Sequence, residues 1–267
     1  MMPTTVDAGA AEPPAVRTRM PPPPPGCPAG WRVGAPDFIG VGTMRSGTSW
    51  WHYLISRHPD VARVKSRDKE LHYFDQFALG GTPDPHEYHK YFPRPAGQIA
   101  GEWTPRYISD HWAPGLIAQV APQARILVLL RDPVERMISG VSYTQADDQQ
   151  LTNMQINLQL YRSMYWSQLE NLLGYFRREQ LLLLQYEKCV ADPAGELGRT
   201  FAFLGLDPAR LRFTARMLSP VNALRVGRVG FDARTRRLLA AALQADLRML
   251  GESFPEIDQS LWANCRG

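Results

Sequence analysis

An apolar, strand-sized run that ends in glycines and restarts as an amphipathic helix constrains this chain more tightly than any other stretch. Phe38-Ile39-Gly40-Val41-Gly42 predicts a short buried strand, and Thr48 to Arg57 a helix with Trp51, Leu54 and Ile55 at i, i+3 and i+4. Between them lies Gly42-Thr43-Met44-Arg45-Ser46-Gly47-Thr48-Ser49. Glycines let a backbone turn closely around an anion, and a helix start adds unpaired N–H groups and a positive dipole end. Arg45, Ser46, Gly47, Thr48 and Ser49 are therefore candidate phosphate ligands. The spacing is that of a nucleotide-triphosphate loop, but Thr48 stands where such a loop carries its lysine, and Arg45 offers a cation in a different place. Read without a ligand, the same segment is a glycine-rich strand-to-helix turn.

The rest of the chain repeats the alternation. Arg125 to Leu130 predicts a second buried strand, followed by a helix with Asp132 as N-cap, Pro133 in the first turn and Glu135 three residues after the cap. Leu181 to Tyr186 predicts a third strand. Leu197, Phe201 and Leu204 mark a helix ending at Gly205, and Leu239, Leu243, Leu247 and Leu250 mark the core face of another. Strands alternating with helices imply an α/β fold, here a single domain over residues 36–267 with a central parallel sheet flanked by helices and a P-loop-like strand-loop-helix. Residues 1–35 are rich in Pro and Ala, with the run Pro21 to Pro25, and read as a disordered or extended arm. The segments Phe77 to Pro95 and Gln145 to Tyr165 read as loop-like or weakly periodic.

Composition narrows the class. A net charge of +4 without a long Lys/Arg block argues against nucleic acid and suits an anionic small molecule in a basic cleft. Three scattered cysteines, Cys27, Cys189 and Cys265, give neither a disulfide framework nor a zinc pattern, and no apolar run reaches membrane-spanning length. A cytoplasmic protein with no membrane partner is the expectation; oligomeric state is not readable.

A second anion element is Arg131-Asp132-Pro133-Val134-Glu135-Arg136-Met137-Ile138-Ser139. Arg131 closes a buried strand, where open α/β sheets bind ligands, and Ser139 on the next helix is placed to share a phosphate with it. The bland reading is a structural Arg–Asp pair. Asp132 reads as a helix cap rather than a metal ligand, and Arg136 as a surface residue.

Together these segments resemble the PAPS-dependent sulfotransferases, particularly the branch of the heparan sulfate N- and O-sulfotransferase domains. Lys69-Glu70-Leu71-His72-Tyr73-Phe74-Asp75 resembles that family's Lys-Glu-x-His-Phe-Phe-Asp segment, and Gly101-Glu102-Trp103-Thr104-Pro105-Arg106-Tyr107 its Glu-Lys-Thr-Pro-x-Tyr segment. The resemblance runs from about Asp37 to Trp262. It implies that 3′-phosphoadenosine 5′-phosphosulfate (PAPS) donates the sulfonate and leaves as 3′-phosphoadenosine 5′-phosphate (PAP). The Gly42 loop would hold the 5′-phosphosulfate, and Arg131 and Ser139 the 3′-phosphate. Glu70 becomes the general base, His72 its neighbour in acceptor binding or catalysis, and Arg45 a catalytic cation, the counterpart of the loop lysine beside the sulfonate. Arg225, Gly227 and Arg228 fall where relatives carry a loop closing over the 3′-phosphate. No metal is required, since fixed cations and helix dipoles neutralise the charge.

Without the resemblance, Glu70 reads as a surface partner of Lys69 and His72 as a half-buried loop histidine. Trp103 stands where several relatives have lysine; it reads either as a stacking face for the acceptor or as core. The expected acceptor is a small molecule or glycan-like compound, with a hydroxyl favoured over an amine. The rivals are a P-loop kinase or nucleotide hydrolase, which would need a loop lysine and Mg²⁺, and a nucleotide-binding module without catalysis.

Overall fold

The computed structural model of the chain describes residues 20–63, 69–146, 152–219 and 230–265. Four parallel strands form the centre: β1 (Phe38–Gly42), β2 (Gly101–Trp103), β3 (Arg125–Leu130) and β4 (Leu181–Gln185), in the order β2-β1-β3-β4. The three strands read from the sequence are present, and the expected parallel sheet is observed. Tyr186 leaves the third of them to open a helix, and β2 is added at the edge beside β1, pairing Phe38 with Gly101 and Gly40 with Trp103. The register between β1 and β3 shifts between Gly40 and Gly42, just before the phosphate-loop segment.

Ten helices are assigned among the described residues. They are α1 (Thr48–Ser56), α2 (Pro85–His89), α3 (Ala113–Val120), α4 (Pro133–Ala146), α5 (Asn153–Tyr161), α6 (Tyr165–Leu173), α7 (Tyr186–Ala191), α8 (Pro193–Leu204), α9 (Ala215–Leu218) and α10 (Ala233–Ser253). Two of these fall in segments with no clear sequence period. α2 starts on Asp84, whose side chain accepts from the His86 amide, and α5 on a capping box in which Thr152 and Gln155 satisfy each other's amides.

Strand alternation sorts the core into two faces. Leu127, Leu129, Leu182 and Leu184 pack with Trp51, Leu54 and Ile55 of α1 and Leu197, Phe201 and Leu204 of α8. Ile126, Val128, Leu130, Leu181 and Leu183 pack on the opposite face with Val134 and Ile138 of α4, Leu169 and Leu172 of α6, and Leu243, Leu247 and Leu250 of α10. The neighbouring strands β1 and β3 thus send their following helices to opposite faces. That divergence opens a crevice at their C-terminal ends, the usual ligand position in an open α/β sheet.

The described part of the N-terminal stretch lies against the domain. Arg32 and Arg94 exchange backbone hydrogen bonds of 2.9 Å, and the Tyr91 hydroxyl donates to the Pro22 carbonyl at 2.7 Å.

Candidate functional site

The crevice is built first from the loop after β1. The Thr43 amide and hydroxyl both donate to the Leu129 carbonyl, at 3.0 and 2.8 Å, which ties the loop to β3. The Thr43 and Ser46 hydroxyls share a hydrogen bond of 2.6 Å. Gly47 is the N-cap of α1 with φ 91°, and a Cβ there would come within 2.9 Å of the Tyr186 ring. No side chain caps α1. Its positive end therefore faces the crevice, with the Thr48 and Ser49 hydroxyls in its first turn.

Three of the predicted donor ligands meet here. The Arg45 Nε donates to the Ser139 hydroxyl at 3.2 Å, and its guanidinium lies 4.7 Å from the centre of the Tyr143 ring. Arg131 donates to the Arg45 carbonyl at 3.2 Å and lies over Tyr186 at 4.9 Å. Burial and the neighbouring Arg131 charge lower the pKa of Arg45, partly opposed by Tyr143 and Glu70. Arg225, Gly227 and Arg228 lie outside the described residues.

The opposite wall is the segment before and through a 3-10 turn at Tyr73–Phe77. Glu70 Oε1 accepts from Lys69 Nζ at 2.8 Å, and Glu70 Oε2 lies 3.2 Å from His72 Nε2. The other ring nitrogen, Nδ1, is 3.0 Å from Asp75 Oδ2. Burial alone would raise the Glu70 pKa, but the hydrogen bond from His72 and the Lys69 charge outweigh it and hold the carboxyl at about 2. His72 has φ 54° and Arg45 φ 69°, the two positive-φ non-glycine residues among those described, and both sit at this site.

β2 fixes that segment. The buried Glu102 accepts from the Leu71 amide at 3.3 Å, the Thr104 hydroxyl at 2.6 Å and the Tyr88 hydroxyl at 2.7 Å. Thr104 Oγ1 in turn accepts from the His72 amide at 3.3 Å. Trp103 settles between its two readings as core. It is fully buried against Gly40, and its Nε1 donates to the Gly42 carbonyl at 3.0 Å, so it presents no face to an acceptor.

The surface reading of Arg136 is overturned. The side chain is fully buried, donating from Nε to the Ser163 hydroxyl at 2.7 Å and from Nη2 to the Gln159 carbonyl. Burial lowers its pKa to about 10. The apolar surroundings of α4 leave its guanidinium to be satisfied by the end of α5, an arrangement no local pattern announces. Asp132 is the cap expected, accepting from the Val134 and Glu135 amides at 3.0 and 3.1 Å.

Three residues at the site carried no signal of their own. Lys69 Nζ donates to Thr48 Oγ1 and Ser49 Oγ, each at 3.1 Å, in addition to Glu70. Asp75 orients His72, and its place in the Lys69–Asp75 segment was the available clue. Tyr143 helps line a cavity of about 210 Å³ with Met44, Arg45, Thr144, Gln159 and Arg162.

The arrangement suits a dianionic or polyanionic ligand. Arg45, Arg131 and Lys69 converge on an uncapped helix end, and an ionised carboxylate beside an imidazole lies within the same hydrogen-bonded network.

The sulfotransferase domain family model matches residues 35–220. Among curated proteins, the chain is similar to heparan sulfate glucosamine 3-O-sulfotransferase 3B1 of Homo sapiens, 31% identical over 186 residues, covering 64% of this chain and 46% of that protein. It is 32% identical to heparan sulfate glucosamine 3-O-sulfotransferase 6 of Mus musculus over 185 residues, 64% of this chain and 52% of that protein. The chain thus spans about half the length of these relatives. A sulfotransferase structure from Alicyclobacillus acidocaldarius superposes with a TM-score of 0.69 at 23% identity, covering 86% of this chain and 99% of that one, and so shares the fold.

Proposed function

This chain belongs to the sulfotransferase domain family, and from that membership we propose that it transfers the sulfonate of PAPS to a hydroxyl on a carbohydrate-containing or natural-product acceptor. The observation that carries the reading is one continuous network from the phosphate loop to an ionised carboxylate: Thr48 and Ser49, Lys69, Glu70, His72 and Asp75. Arg131 and Ser139 would hold the 3′-phosphate, and the Gly42 to Ser49 loop with Arg45 the 5′-phosphosulfate. When bound, the donor supplies an electrophilic sulfur whose phosphate partner is a good leaving group.

The chain's own residues supply position, charge and a proton acceptor. Glu70 takes the acceptor hydroxyl's proton as its oxygen bonds to sulfur. The bond from sulfur to the bridging oxygen breaks, and its electron pair stays on the phosphate of PAP. Arg45 and the amides of the α1 end stabilise that charge. His72, held by Asp75, keeps the carboxylate aimed. A hydroxyl acceptor on a sugar accords with the relatives, which are named for 3-O-sulfation of heparan sulfate glucosamine. The cavity beside Arg45 and Tyr143 is the proposed acceptor side.

The kinase reading is less well served. The acid it would use for Mg²⁺, Asp132, is engaged in capping α4 and accepts from Asn264 at 2.9 Å. Calorimetric titration with PAP, and separately with ATP and Mg²⁺, decides between them. Micromolar PAP binding without metal, weakened at least tenfold by Arg131→Ala, is the expected result. Preference for ATP with Mg²⁺, or indifference to Arg131, would sink the sulfotransferase reading.

A further inference from the structure

We propose that Lys69 is a catalytic residue whose ammonium bridges the donor's phosphosulfate oxygens and the Glu70 carboxylate. This rests on the donor reading above.

An ammonium has three N–H donors, and Lys69 directs them at three oxygens: Thr48 Oγ1 and Ser49 Oγ at 3.1 Å, and Glu70 Oε1 at 2.8 Å. Two of those oxygens belong to the first turn of α1, where the backbone N–H groups and helix dipole gather an anion. A phosphosulfate contacting these hydroxyls lies within reach of the same ammonium. The cation therefore stands between the donor site and the base, in contact with both.

This also answers the odd feature of the loop. Its Gly-x4-Gly spacing carries Thr48 in place of the usual lysine. The missing charge returns from a different segment, placed on the hydroxyl of the residue that replaced it. Only 16% of the Lys69 side chain is exposed. Burial lowers its pKa, only partly opposed by the Glu70 carboxylate, and the contact lies in a poorly solvated setting where charge interactions are strong.

The chemistry gains a coupling. In the resting pair, Lys69 helps keep Glu70 a weak base, at about 2. As the bond from sulfur to the bridging oxygen breaks, negative charge grows on the phosphate and draws the ammonium toward it. Its hold on Glu70 loosens, and the carboxylate becomes more basic as the acceptor's proton arrives. If Lys69 served only to pin the 69–75 segment to α1, neither donor affinity nor its dependence on Glu70 would follow the lysine's charge.

The test is PAP titration calorimetry on the full chain with Lys69→Met, Lys69→Arg, Glu70→Gln and the double variant, with thermal unfolding as the fold control. Lys69→Met is expected to weaken PAP about 10- to 100-fold, the range for a charge-assisted contact. Lys69→Arg recovers most of that loss. Glu70→Gln, by releasing the ammonium from its carboxylate, tightens PAP several-fold, and this gain disappears in the double variant. Wild-type affinity in a folded Lys69→Met protein overturns the proposal, as does a Glu70→Gln gain that persists without Lys69. If Lys69→Met does not fold, an unchanged affinity in Glu70→Gln alone overturns it. Absence of PAP binding by the wild type is a different result, and it removes the donor reading on which this proposal stands.

Discussion

Replacing Glu70 by glutamine tests the electrostatics of the site through stability alone, before any acceptor is known. The drop of its carboxyl from an ordinary 4.5 to about 2 corresponds to about 3 kcal/mol of linked stabilisation at roughly 1.4 kcal/mol per pH unit. The side chain is 35% exposed, and solvent screening reduces that to about 1–2 kcal/mol. The sign follows from the direction. A carboxyl whose folded pKa is depressed contributes its stability in full above the unfolded value, near 4.5, and loses it as pH falls toward 2. Glutamine cannot titrate, so the variant lacks this contribution at every pH. Urea unfolding of wild type and Glu70→Gln at pH 7, 5, 4 and 3 should show a constant gap from pH 7 to 5. Below pH 5 the gap closes by about 1 kcal/mol or more. The other carboxylates are common to both proteins and largely cancel in the difference. A gap that stays flat from pH 6 to 3, or widens on acidification, refutes the account of Glu70 as an ion held by Lys69 and His72.

Two further outcomes rest on buried contacts. Trp103→Phe keeps most of the ring packing but removes the donor to the buried Gly42 carbonyl, and should cost about 1–3 kcal/mol by urea unfolding; a neutral result would show that the loop does not depend on that bond. Arg136→Ala leaves a cavity and strips donors from Gln159 and Ser163, so a loss of about 3–5 kcal/mol is expected, while Arg136→Met, which refills the volume, should lose less than half as much. Equal losses would mean the guanidinium hydrogen bonds, and not its volume, dominate.

Much of the fold was legible because it depends on local pattern. The runs at Phe38 and Arg125 became strands with the boundaries read for them, and Trp51, Leu54 and Ile55 were buried as their spacing required. Asp132 capped its helix because a short carboxylate before a proline-started helix has amides waiting for it. The helices α2, α3, α5, α6, α7 and α9 were not read from the sequence. The apolar period of α5 is weak, and α2 spans a single turn, so their capping residues were the only cue. β2 was read as part of a motif and not as a strand, since three residues carry no period.

At the site, the sequence determined which chemical groups are available and what backbone carries them: a glycine-bearing loop before a helix, an arginine closing a strand, and four motif segments in order. Tertiary structure alone decided which of them touch. Pairing β2 beside β1 placed Glu102 and Thr104 under Leu71 and His72, and turned Trp103 inward against Gly40. It set the Lys69 ammonium on the hydroxyls of α1, and packing α5 against α4 buried Arg136. The physical reason is that burial and helix or strand period are written in neighbouring residues. The partner of a polar group is chosen among residues tens of positions away, by whichever packing leaves no buried donor without an acceptor.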